Sequence, residues 1–264
     1  MPTSRTALSP RRAPRKAAKT VAADLAANAQ ASASDVASRP AGSAKGRQTR
    51  QAIIDCALQM AGRIGLEGLS IGVLADRMDM SKSGVFAHFG SREDLQIAVI
   101  RSYHDEFERE VFYPAIEQPR GMPRLAAMVQ RWLQRVSVEM ETGCIYISSA
   151  VEFDDRPGPV RDALVAMIQT WHDAVRRAIA QAVECGHLRP DTDPQQLMFQ
   201  IHGYILALHH DARLLKLPNS LDLACRSLDT LLRQHATPAG AALLQPCSPL
   251  AEPYSSRPAE QQAP

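Results

Sequence analysis

The sequence predicts an all-α protein: an N-terminal three-helix domain of helix-turn-helix type, followed by a longer helical bundle. Three observations carry this reading. Apolar residues recur at helical spacing from about residue 46 to about residue 236, beginning with the stripe Ile53, Ile54, Ala57, Leu58, Ala61 and Ile64. Ser, Asp and Pro stand where helices should open, and Gly or Pro where they should close. The segment 143–155 (GCIYISSAVEFDD) has strand propensity at Ile145, Tyr146, Ile147 and Val151, but a lone strand has no partner here, so it is read as helix.

Element by element, Gly65 closes the first helix. Ser70 is then an N-cap for a short helix whose inward stripe is Ile71, Leu74, Ala75 and Met78. Only Asp79 and Met80 follow before Ser81 offers another N-cap. The third helix, about 82–88, turns Val85 and Phe89 inward, and Gly90 closes it because glycine tolerates the left-handed conformation a C-terminal stop requires. Ser91 with Asp94 resembles a capping box and opens a helix over 92–113, which Pro114 should end. Further helices are expected over 124–140, over 159–185 closed by Gly186, from the Asp193-Pro194 cap onward, and over 220–235.

With 264 residues, 45% of them apolar and 22% charged, the chain can bury a substantial core. This composition excludes a wholly disordered, collagenous or membrane-embedded protein. Residues 1–45 are dominated by Ala, Ser, Arg, Lys and Pro, and 237–264 are rich in Pro, so both are expected to be disordered tails around domains at 46–92 and 93–236. Cys56, Cys144, Cys185, Cys225 and Cys247 are odd in number and widely spaced, which predicts five free thiols in a reducing compartment. There is no run of 18 apolar residues and no apolar core of a secretory signal, so a cytoplasmic protein without a membrane partner is expected. The composition of the basic tail also suits an organellar transit peptide, and composition by itself leaves that reading open.

The net charge of +2 conceals a gradient. Residues 1–45 carry eight basic and two acidic side chains, residues 46–92 six and four, and the remainder sums to −6. A basic front precedes an acidic body, the polarity that turns one end of a molecule toward phosphates.

Two short amphipathic helices joined by a tight turn form the helix-turn-helix pattern, whose second helix enters a DNA major groove. The outward face of that helix carries Ser81, Lys82, Ser83, Gly84, Phe86 and His88. These residues are small or polar, with a cation near the N-terminus, and suit a groove and a phosphate. Ser70 caps the preceding helix, and Arg47, Arg50 and Arg92 flank the face as expected phosphate contacts, adding affinity more than specificity. Helix spacing alone fits equally well three capped helices with no DNA role.

The particular residues shift that balance. Gly65 to Ser70, Ser81-Lys82, Phe86 to Phe89 and Ser91 to Glu93 together resemble the N-terminal domain of the tetracycline-repressor (TetR/AcrR) family of bacterial regulators, over about residues 46–100. Two positions depart from the commoner pattern. Asp79 stands where many members have Gly, and it can still take a left-handed conformation at modest cost. Phe86 stands where many have Tyr, so one hydroxyl contact to a phosphate is lacking. The resemblance implies that residues from about 93 onward form a helical domain for effector binding and dimerisation. The implied function is that of a repressor, binding a palindromic double-stranded operator as a homodimer and released by a small molecule. No cofactor is implied.

Within this body, Phe107, Trp132, Tyr146, Ser149, Phe153 and Trp171 are candidate ligand contacts, with Met128, Met167 and Phe199 on the same helices; plain core packing is the alternative for each. Tyr204, Leu208, Leu228 and Leu231 are candidate dimer-interface residues, with Gly203 and Ala207 permitting close helix approach. His172, His202, His209 and His210, with Asp173 and Asp211, raise a metal site, but adjacent His209 and His210 point about 100° apart on a helix, and none is expected. An enzyme built on these His and Asp residues lacks any nucleophile elbow, phosphate loop or ligand-spaced cluster. A sequence-tolerant DNA-binding protein dominated by its basic tail is the other alternative.

Overall fold

The computed structural model describes residues 44–246, and among these every regular element is helical. The exception to helix is an isolated bridge between Leu188 and Ala236. The helices are α1 (Ala44–Ile64), α2 (Ile71–Arg77), α3 (Lys82–Phe89), α4 (Arg92–Phe107), a π-turn (Glu108–Phe112), α5 (Tyr113–Ile116), α6 (Met122–Thr142), α7 (Ile145–Phe153), α8 (Pro159–Glu184), α9 (Pro194–Arg213), α10 (Ser220–His235) and α11 (Pro238–Ala241). Of the tail expected over 1–45, residues 1–43 lie outside the described residues, and Ala44 and Lys45 belong to α1. No described helix is long and apolar enough to cross a membrane.

The caps follow the side-chain chemistry. Ser70, Ser81 and Ser91 each accept a backbone N–H from three residues on, and Asp193 accepts from Gln195 and Gln196 ahead of Pro194. At Ser91 the hydroxyl also donates to Asp94 at 2.8 Å, so the shorter acid closes on the serine side chain, where a glutamate in a capping box reaches back to the backbone. Asp79 has φ +52°, the left-handed geometry expected of the α2–α3 turn.

Two apolar cores result. One joins α1, α2 and α3 to the first half of α4 and the neighbouring parts of α7 and α8, through Ile53, Leu74, Val85, Phe89, Val99 and Leu164. The other lies among the end of α4, the π-turn, α6, α8, α9 and α10, around Leu125, Trp132, Ile179, Ile201 and Leu228. Ser91 caps α4, and Leu95, Val99 and Ile100 from its first half complete the first core. A single helix thus leaves one core and enters the other.

Two expectations about element ends and one about the cysteines need correction. Pro114 does not end its helix; the chain passes through a π-turn and continues to Ile116. Proline lacks the N–H that would bond the Glu110 carbonyl, and the Arg131 guanidinium approaches that carbonyl instead at 3.5 Å. The fold also extends beyond residue 236. Thr237 caps α11, its hydroxyl donating to the Gly186 carbonyl at 2.7 Å, and Gly240 and Leu244 are buried. Finally, Cys56, Cys144 and Cys185 are free thiols, but Cys225 is disulfide-bonded, so five free thiols is incorrect; Cys247 lies outside the described residues.

Candidate nucleic-acid interface and ligand cavity

The α2–α3 unit is held from below by Leu74, Ala75, Val85 and Phe89, which leaves the opposite face of α3 to solvent. Ser81, Lys82, Ser83 and Phe86 are all exposed there, Phe86 at 51%. The Ser81 hydroxyl accepts the Gly84 N–H at 3.1 Å and lies 3.2 Å from the Ser83 hydroxyl, which fixes the first turn of the helix. Gly84 matters by size. A Cβ there would sit 3.1 Å from Ser81 Oγ, so glycine keeps the cap compact as well as the surface flat. Lys82 reaches across toward α2, its Cε 3.4 Å from where a Gly72 side chain would begin. His88 is half-buried, edge-on to Phe89.

The flanking cations separate into different roles. The Arg50 guanidinium lies 4.9 Å over the Phe89 ring, and partial burial followed by repulsion from Arg101 lowers its pKa. Ser70 uses its hydroxyl to cap α2. Arg92 has a second role beside the expected one: its Nε donates to the Leu69 carbonyl at 2.8 Å and its Nη2 to the Glu67 carbonyl. It ties α4 to the α1–α2 turn, while its side chain remains 43% exposed. Arg47 lies in the opening turn of α1.

Inside the body a cavity of about 320 Å³ opens between α4, α6, α7, α8 and α9. Phe107, Trp132, Tyr146 and Trp171 line it, as the sequence predicts. Their rings meet edge to face: Phe107 and Trp171 at 4.9 Å, Trp132 and Trp171 at 5.4 Å. Ser149 and Phe153 do not line it. Both lie on the buried side of α7, Phe153 within the first core, because α7 turns Tyr146, Ile147 and Ala150 toward the cavity. Phe199 is likewise a correction, 75% exposed and not part of the cavity lining.

Sequence reasoning missed Tyr103, His172, His202 and Ile205 as further wall residues. Helical periodicity marks Tyr103 as plain core, and the histidines suggest metal chemistry before a ring contact. In the structure, His202 stacks on Trp132 at 5.9 Å and meets His172 edge-on at 4.6 Å. Burial, then His202 and Arg176, pushes the His172 pKa down to about 4, and burial lowers His202 as well, so both imidazoles are neutral at neutral pH.

Tyr103 also lines a second recess of about 690 Å³ between α1 and α6, whose wall includes Cys56, Gly62, Arg77, Arg135 and Glu139. Its hydroxyl donates to Glu139 at 2.6 Å and lies 3.4 Å from Cys144 Sγ. Arg135 joins Glu139 at 2.7 Å and pairs with Glu106 and Glu110. Burial opposes its charge, but Glu139, Tyr103 and Glu110 hold the guanidinium firmly protonated. Burial, reinforced by Glu139, pushes the Cys144 thiol far up, which makes it a poor redox sensor.

Of the expected dimer residues, Leu208, Leu228 and Leu231 are 2%, 1% and 4% exposed within a single chain. They fill the body core and cannot meet a second copy. Tyr204 is exposed, and Phe199, Leu206 and Leu223 share that exposure on α9 and α10. The apolar stripe on each helix was legible; which part of it faces inward was set by the packing of α9 against α10.

Comparisons with known proteins agree with this arrangement. A family model described as bacterial regulatory proteins, tetR family, matches residues 53–99, and one described as tetracyclin repressor-like, C-terminal domain, matches residues 121–228. The transcriptional regulator AcuR of Cereibacter sphaeroides is 23% identical over 163 residues, covering 60% of this chain and 74% of its own. A TetR transcriptional regulator from Chloroflexus aurantiacus superposes with a TM-score of 0.65 at 22% identity, over 73% of this chain and 98% of that one. The structure of AibR in complex with isovaleryl coenzyme A and operator DNA gives 0.57 at 22% identity, over 69% and 97%. The two helical cores, the exposed α3 face and the two family matches lead to one conclusion: the chain belongs to the tetracycline-repressor family of DNA-binding transcriptional regulators and is not an enzyme.

Proposed function

We propose that the protein is a cytoplasmic repressor that binds a palindromic operator as a homodimer and releases it when a small molecule enters the aromatic cavity. The observation that carries this is the path of α4, which is buried against α1–α3 through Leu95 and Val99 and reaches the cavity wall at Tyr103 and Phe107. A ligand that prefers one tilt of α4 biases the position of α3 by population shift, and it must bind the DNA-incompetent arrangement more tightly. AibR, which by its description holds a coenzyme A thioester and operator DNA together, supports a fold able to host both ligands.

Dimerisation uses exposed apolar residues of α9 and α10, Phe199, Tyr204 and Leu223, each open to solvent in the single chain. Two copies then present two α3 helices to half-sites about 34 Å apart. Sedimentation of the full chain and of Phe199→Glu tests the assembly: the unaltered chain is expected to be a dimer, and Phe199→Glu a monomer with much weaker operator binding. A monomeric unaltered chain with full operator affinity overturns the dimer. Operator affinity that stays constant across a broad metabolite panel overturns release by ligand.

A further inference from the structure

We propose that the cavity takes a small, uncharged aromatic molecule bearing a hydrogen-bond acceptor, received by the indole N–H of Trp171. This rests on the reading of the cavity as the effector site and assigns its ligand class. Trp171 is 4% exposed and forms part of the wall, yet its Nε1–H has no acceptor among the described residues. The other hydroxyl donors of the wall are already engaged, Tyr103 with Glu139 and Tyr146 with His104 at 2.5 Å. A buried donor left unmet is costly, and a ligand acceptor removes that cost.

Charge narrows the class further. The wall contains no Lys or Arg, and its two histidines are neutral, so a buried carboxylate or phosphate would find no counter-charge. The wall carboxylate, Asp154, is exposed to solvent, so it offers no buried partner to a cation. The aromatic faces are also not arranged as an open cage for one. His202 covers Trp132 in a stack of 16° interplanar angle, and Trp171 meets Phe107 and Trp132 at 79° and 87°. What remains is a largely apolar lining with the buried Trp171 N–H and the neutral imidazoles of His172 and His202 as its uncharged polar groups, in a volume of about 320 Å³ near the lower end of small-molecule sites.

The chain has two tryptophans, Trp132 and Trp171, and both lie in this wall, so intrinsic tryptophan emission of the full chain reports occupancy directly. Four probes of similar size separate the classes: acetophenone (neutral, one acceptor), ethylbenzene (no acceptor), benzoate (anion) and phenyltrimethylammonium (cation). Acetophenone is expected to change the emission saturably at concentrations about tenfold below benzoate and phenyltrimethylammonium, and severalfold below ethylbenzene. Trp171→Phe, with Trp132 still reporting, should bring acetophenone down to the level of ethylbenzene. Trp132→Phe keeps the donor and should keep the preference. Circular dichroism of both variants verifies that they are folded. Tighter binding of benzoate or of phenyltrimethylammonium overturns the assigned class while leaving the cavity as the ligand site, as does an acetophenone preference that survives Trp171→Phe. Failure of all four probes to bind overturns the cavity as a ligand site altogether.

Discussion

Gly62, near the end of α1, and Gly143, between α6 and α7, approach backbone to backbone. A Cβ on Gly143 would collide with the Gly62 carbonyl oxygen, and one on Gly62 with the Thr142 carbonyl oxygen. Gly143 also holds φ +96°, a conformation that L side chains rarely adopt. The next residue, Cys144, lines the cavity, and Tyr146 follows on α7. The reader's first helix therefore rests directly on the turn that leads into the ligand wall, a second mechanical link beside α4.

Gly143→Ala is accordingly expected to destabilise the protein by about 1–3 kcal/mol in urea unfolding. It should also weaken the coupling between cavity occupancy and operator affinity, because the turn must withdraw from α1. Unchanged stability and unchanged ligand response would show that the close approach carries no load.

The α2–α3 turn makes a sharper backbone prediction. Asp79 sits at φ +52° with the Met80 N–H bonded to the Ala75 carbonyl at 2.9 Å. Asp79→Gly should hold the melting temperature and operator affinity, whereas Asp79→Val, β-branched and unsuited to this conformation, should lose about 1–2 kcal/mol. Equal stability of the two variants would contradict the assigned turn geometry.

On the reading face, Lys82→Ala should weaken operator binding and lower the salt slope by about one phosphate contact. Phe86 is exposed and lacks a hydroxyl. Phe86→Tyr should therefore tighten binding by about 1 kcal/mol, the net value of one added hydrogen bond. Titrations at several salt concentrations check both, and tighter binding by Lys82→Ala would contradict the orientation of α3.

The pH dependence follows from His172. Its pKa in the folded chain is about 4, lowered by burial, His202 and Arg176 against the opposing pull of Asp173. The unfolded residue protonates near its ordinary value of about 6.5. Between these values the unfolded state binds more protons, so stability is fully present above about pH 6.5 and falls as pH drops toward 4. His202 and His209, also lowered by burial, act in the same direction. Urea midpoints measured across this range should decline, and His172→Gln should flatten the decline.

Much of this architecture is legible in the sequence because it rests on local chemistry. Ser70, Ser81, Ser91 and Asp193 announce helix starts through their own side chains, and the α3 face follows from Val85 and Phe89 turning inward. The cavity is half legible. Aromatic residues mark Phe107, Trp132, Tyr146 and Trp171, but the rotation of α7 that admits Ile147 and turns Ser149 away is a property of packing between helices. Arg92 illustrates the same limit. Its position beside the reader suggests a phosphate contact, and only the fold reveals the Leu69 and Glu67 carbonyls that it also bonds. Leu208, Leu228 and Leu231 fail as interface residues for the converse reason: an apolar stripe does not say which neighbour it meets.

The most direct test of operator reading by α3 is footprinting on genomic fragments recovered by occupancy mapping of the tagged full chain. Protection is expected as two half-sites about one helical turn apart, roughly 34 Å, on one face of the duplex. It should persist when residues 1–45 are deleted and be weakened by Lys82→Ala under the same salt conditions. Uniform protection without half-sites, or protection that disappears with residues 1–45 and is unchanged by Lys82→Ala, would assign the binding to the basic tail and contradict reading by α3.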